Sequence, residues 1–137
     1  MTDRQAEREA AECEAFFRAA NGDHDAQVEV AHRIVGQGLS GELPLDASIA
    51  LALIWGHMAA TSCRAPHLLA YAGLLLAQLS QLGEEALTNP ANDDSFATAL
   101  AIVDAVADAG HSRAEVVSFA LASRVTPAII AKATALR

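Results

Sequence analysis

Glu29 and His32 stand three residues apart, so on a helix a carboxylate and an imidazole would share one face. That is half of a motif. A di-iron bundle needs two Glu-x-x-His pairs plus two further Glu residues from other helices, and the chain holds one such pair. Asp23-His24-Asp25 and the Cys63–His67 neighbourhood offer further ligand atoms, but a solvated helix start accounts for the first and a buried thiol for the second. Cys63, His57 and His67 also contain the atoms of nucleophilic catalysis, which needs a base beside the nucleophile and a third group orienting that base. No Gly-rich elbow and no carboxylate accompany them in sequence. The reading is therefore of no enzyme, no cofactor and no metal, with a metal-binding bundle around Glu29 and His32 as the outside alternative.

Other chemistries are poorly supplied. No Gly-rich loop runs into a helix with a Lys, and Lys132 is the single lysine. Ser112–Ser123 and Thr126–Leu136 are laid out like a helix-turn-helix, yet a recognition helix must bring Arg, Lys, Asn or Gln to base edges. Pro127 to Arg137 offers Lys132 and Arg137 on an otherwise apolar stretch, which describes a packing helix. The net charge of -8 is unevenly spread: residues 22–110 hold eleven acids against Arg33 and Arg64, while residues 111–137 carry an excess of three positive charges. An acidic body excludes a phosphate-backbone footprint and fits a partner with a basic surface. Cys13 and Cys63 form no CxxC and read as buried, reduced thiols of a cytoplasmic protein. The N-terminus lacks the apolar core of a signal peptide. Leu68 to Ala77, the longest apolar run, is about half of the roughly 20 residues that span a bilayer, so no membrane role is expected.

The elements that would position these residues are helical. Hydrophobic residues make up 53% of the chain and aromatics 4%, with much Ala and no β-branched runs. Mean hydropathy is +0.24, outside the range of disordered chains. Thr2 and Gln5 form a capping-box pattern before a stripe of Ala6, Ala10, Cys13, Phe17 and Ala20, widened by Phe16, and Asn21-Gly22 ends that helix. Asp23 or Asp25 starts a second helix with Ala26, Val30, Ala31, Ile34 and Val35 inward, broken by Gly36, Gly38 and Gly41. Pro44 and Asp46 open a third with Leu51, Ile54, Trp55 and Met58 on its inner side. The fourth, Pro66 to about Leu82, is apolar almost all round and reads as the most buried element. Gly83 to Asp94 reads as a loop. A fifth helix turns Phe96, Leu100, Val103 and Val106 inward, Asp104 and Asp108 outward, and ends at Gly110. Ser112 with Glu115 caps a sixth, and Thr126-Pro127 a seventh.

Gly22 to Ala60 carries more than a helix pair. Gly22-Asp23, Ala26-Gln27, the Gly36/Gly38/Gly41 turn, Asp46, Ala52, Trp55 and Ala59-Ala60 together resemble a Sel-like repeat, a cousin of the tetratricopeptide repeat. Val30-Ala31 and Ile34 stand where that family has Leu-Gly and Tyr, and the stretch from Asp46 to Ala52 is longer than the family's. The resemblance implies antiparallel helix pairs in a right-handed superhelix, with Trp55 buried between this pair and the helix after Pro66. The fold class expected is all-α: about seven helices in one domain, an N-terminal helix over 1–21 and pairs over 22–62, 63–110 and 111–137. A compact helical bundle is the alternative. The functional expectation is a small adaptor binding a protein or peptide, with Asp104, Asp108, Tyr71 and Leu74 as candidate contact residues. A self-associating structural subunit, its helix Pro66–Leu82 covered by another copy, is the competing reading.

Overall fold

The computed structural model describes residues 2–137, which contain seven α-helices and no strand: α1 Asp3–Ala20, α2 His24–Leu39, α3 Leu45–Ala60, α4 Ala65–Gln81, α5 Asp93–Asp108, α6 Ser112–Ala122 and α7 Pro127–Ala135. Short 3-10 turns at Glu84–Thr88 and Pro90–Asn92 fill the link between α4 and α5. The helices fall into two compact units, one ending at His67 and one running from Leu68 to Arg137. The division between them falls inside α4.

Local chemistry sets most helix ends. Thr2 Oγ1 accepts the Gln5 N–H at 3.2 Å, Asp23 Oδ1 the Ala26 N–H at 3.1 Å, and Thr126 Oγ1 the Ile129 N–H at 3.4 Å ahead of Pro127. At α6 the expected capping box does not form. Ser112 is already helical, His111 precedes it, and no side chain caps the first turn. Gly22, at φ +94°, closes α1: its N–H reaches Ala19 C=O at 3.1 Å and the Asp23 N–H reaches Arg18 C=O at 3.0 Å. Gly41 (φ +86°) ends α2 in the same way, through Gly38 and Gln37 carbonyls. Gly36 and Gly38 do not break α2 but lie inside it. Their cost of about 1 kcal/mol each against Ala is small beside a whole turn of helix.

In the first unit α2 packs most extensively on α3, then on α1. The faces that meet are the small ones. A Cβ on Gly38 would lie 2.6 Å from both Cβ and Oγ of Ser48, so the α2 and α3 backbones are in near-contact there. Along α3 the buried residues are Ser48, Ile49, Ala52, Gly56 and Ala59. Leu51, Ile54 and Met58, expected inside, are exposed. Along α1 only Ala15 and Ala19 are buried, and Phe16 and Phe17 point outward with Cys13. Trp55 is half-buried, and its ring meets Phe16 edge-on at a centroid distance of 5.2 Å. Cys63 is likewise exposed, in the α3–α4 link. Both expected buried thiols are thus at the surface, because the α1 stripe is rotated and Cys63 lies in a turn.

The second unit is built on α5, which packs against α6 and α7. Phe96, Leu100, Val103 and Val106 are all buried, as their spacing predicts, with Ile129 and Ala133 from α7 and Leu79 from α4 nearby in the core. α5 carries seven buried residues against five on α4, so α5 is the most buried helix. α4 exposes Gly73 and Ser80 and leaves Tyr71 half-buried.

Candidate functional site

Two places hold functional groups in organised form, one in each unit. In the first unit a polar junction forms at the start of α2. Gln27, 2% exposed, donates from Nε2 to Ala19 C=O at 3.1 Å, and its Oε1 lies 2.9 Å from His24 Nδ1. Since the amide oxygen only accepts, His24 carries its proton on Nδ1 there. The His24 ring is 5.9 Å from that of His67, which is 3% exposed. His67 is engaged at both nitrogens: Nε2 lies 2.6 Å from Asp25 Oδ1, and Nδ1 2.6 Å from Ser62 Oγ. Ser62 Oγ also accepts the Arg64 N–H at 3.1 Å. The hydrogen bond from His67 holds the Asp25 carboxyl below its ordinary range, reinforced by the charges of His67, Arg64 and His24.

This junction supplies the acidic partner that sequence neighbourhood lacks. Asp25 is 42 residues from His67. The hydroxyl in the cluster is Ser62, not the thiol of Cys63, whose Sγ faces Thr61 C=O at 3.9 Å. His57 lies exposed on α3. The one legible signal was a histidine in the first turn of an apolar helix, which must find polar partners when buried.

Glu29 does not face His32 for a shared ligand. Its carboxylate is held by two guanidinium groups, Arg33 at 2.8 Å and Arg18 at 3.5 Å, and Arg18 also reaches Glu14 and Asp23. His32 is exposed. Among the described residues no three His, Cys, Asp or Glu side chains are gathered so as to hold a metal ion, and no helix is long and apolar enough to cross a membrane.

In the second unit a groove of about 530 Å³ opens between α4, the 84–88 turn, α5 and α6. Leu76, Leu79, Leu87, Phe96, Val116, Val117, Ala120 and Leu121 form its walls, and Ser80, Glu84 and Arg124 bring polar groups. α6 buries only Ala114. Val116 is 71% and Phe119 80% exposed, so apolar surface continues past the groove. That helix has no polar face to alternate with, which was the signal available in the sequence.

The four candidate contact residues scatter. Asp104 is half-buried and accepts a hydrogen bond from Ser118; Asp108 is paired with Arg137. Leu74 is 6% exposed, and the half-buried Tyr71 has its phenol pushed up by burial. None of them lines the groove. Comparison with protein-family models, curated proteins and solved structures finds no match for this all-α chain.

Proposed function

We propose that the chain is a binding module whose working surface is the groove of the second unit, and that it takes an amphipathic helix from a protein partner. The observation that carries this is α6, eleven residues long with one buried side chain, forming a wall of an apolar cleft. A soluble helix that leaves Val116, Val117 and Phe119 exposed is short of a covering surface. The cleft volume falls in the range of about 300–1,000 Å³ typical of ligand sites, and helix-in-groove docking uses an apolar wall of this kind. Glu84 and Arg124, of opposite sign, would fix the direction of the bound helix by charge. The excess of acid over the whole chain favours a partner whose flanks are basic. The likeness of residues 22–60 to a Sel-like repeat supports the same role, although fold alone does not assign one. Two unpaired cysteines support a reducing, cytoplasmic setting.

The test places a charge in the groove. Ala120 is exposed and lines it, whereas Ala50 is exposed on α3 of the first unit. Tagged wild type, Ala120→Glu and Ala50→Glu are compared for partner capture from the native host, and the captured partner's helix is then titrated directly. Retention by wild type and Ala50→Glu with loss by Ala120→Glu is expected; equal capture by all three rejects the groove as the binding site. Self-association is the second reading, favoured by the exposed Leu51, Ile54 and Met58 of α3.

A further inference from the structure

His67 has a carboxylate at one nitrogen and a hydroxyl at the other, and this fixes where its proton lies. Asp25 can only accept when ionised, so Nε2 carries the hydrogen and donates to it at 2.6 Å. Nδ1 is left with its lone pair, and the Ser62 hydroxyl 2.6 Å away donates into it. Of the two lone pairs on Ser62 Oγ, one accepts the Arg64 N–H at 3.1 Å and the other is uncommitted. Ser62 is half-buried, while Thr61, Cys63 and Arg64 around it are exposed, so a small molecule can approach from solvent. The turn that presents the hydroxyl is held by Cys63 at φ +58°, a left-handed conformation uncommon for a non-glycine residue and often found where a site dictates the backbone.

We propose that Ser62 is a nucleophilic serine, activated by His67 as base and oriented through Asp25, that accepts an acyl group from small activated esters. The ring is used in the opposite sense from the usual Ser–His–Asp arrangement, with Nδ1 toward the hydroxyl, but the division of roles is the same. Ser62 Oγ attacks the carbonyl carbon of the ester while its proton passes to Nδ1. The resulting imidazolium lies against ionised Asp25, with Arg64 and His24 the other charged or titratable groups acting on that carboxylate. The tetrahedral adduct then collapses, the carbon–oxygen bond to the leaving alcohol breaks, and that oxygen takes the proton from Nδ1. Water attacks the acylated serine by the same route, giving its proton to Nδ1. Ser62 leaves with that proton, and a carboxylic acid is released. Asp25 touches no reacting atom and is a positioning residue.

The inference concerns the first unit and stands or falls independently of the groove. Folded full-length protein is treated with a fluorophosphonate and, separately, with p-nitrophenyl acetate, and adducts are mapped by tandem mass spectrometry. General-base activation is typically worth about 10²–10⁴-fold, so Ser62 should label at least about tenfold faster than the exposed Ser40, Ser80, Ser112 and Ser123. Labelling of Ser62 should depend on pH, since it needs a base to take the hydroxyl proton. Asp25→Asn, with helicity verified by circular dichroism, should slow it and change its pH profile, which a purely structural clip would not do. Failure of Ser62 to outpace the exposed serines in the unmodified protein overturns the proposal. So does an Asp25→Asn rate and pH profile equal to wild type in a folded variant.

Discussion

Gln27 and His67 are two of the few polar side chains buried in this molecule, and each is held by groups from elsewhere in the chain. Gln27 ties α2 to the last turn of α1 through Ala19 C=O. Replacing it by Met keeps the length but removes both hydrogen bonds, leaving His24 and the carbonyl less well satisfied. A loss of about 1–2 kcal/mol in unfolding free energy is expected, measured by urea denaturation; an unchanged midpoint would show that the amide is dispensable. The Asp25–His67 contact predicts a pH effect whose sign follows from the carboxylate. Its folded-state pKa is depressed, chiefly by the His67 hydrogen bond. The stability it contributes is therefore complete above the ordinary carboxylate value and is lost as pH falls below that value through the folded one. Wild type should be more stable than Asp25→Asn at neutral pH, and the gap should close in strong acid. A gap that persists there would assign the difference to packing instead. Neither interaction was legible in the sequence, because hydrogen bonds spanning 8 and 42 residues leave no local pattern.

At the level of helices, what could be read was what is local. The caps at Thr2, Asp23 and Thr126 and the inward stripe of α5 follow from side chains acting within a turn or from clear apolar periodicity. What misled was the choice of face in α1 and α3. α3 is apolar or small nearly all round, so hydrophobicity does not select a side there. α1 does have a charged side, but its adjacent Phe16 and Phe17 drew the expected stripe away from Ala15 and Ala19. Close packing selected the small side: Ala15 and Ala19 on α1, and Ser48, Ala52, Gly56 and Ala59 on α3. Dispersion between closely packed backbones then replaces the burial of large side chains. Gly36 and Gly38, two positions apart on α2, should therefore respond with opposite signs. A Cβ at Gly36 meets nothing within 4 Å, and Ala there is expected to stabilise by about 0.5–1 kcal/mol. A Cβ at Gly38 falls 2.6 Å from the Cβ of Ser48, which is fixed to its own backbone and cannot swing away. Ala there should destabilise by about 1–3 kcal/mol through overpacking. Thermal melts of the two variants decide; a Gly38→Ala protein as stable as wild type would mean that α2 and α3 separate at little cost.

Over the whole molecule the basic tail expected from sequence is largely neutralised by folding. Lys132 pairs with Asp94 at 3.0 Å, and Arg137 with Asp108. Both units end net negative, with ten acids against five Arg residues in 1–67 and seven acids against four cations in 68–137. This charge separates the two readings of function, because salt acts on them in opposite directions. A basic partner is attracted by the acidic field, and screening over about 10 Å at 0.1 M salt should slow its association. Copies of a chain with net charge -8 repel one another. If Leu51, Ile54 and Met58 drive self-association, the same screening should increase it, since apolar contact is not weakened by salt. Light scattering across a salt series is the measurement. Ile54→Glu places a further charge on an exposed position, where substitutions usually alter stability by about 0.5 kcal/mol or less, and should return any salt-induced oligomer to monomer. A mass that stays monomeric at every salt concentration removes the self-association reading. An oligomer indifferent to Ile54→Glu would remove α3 as its interface while leaving the groove of the second unit as the candidate contact surface.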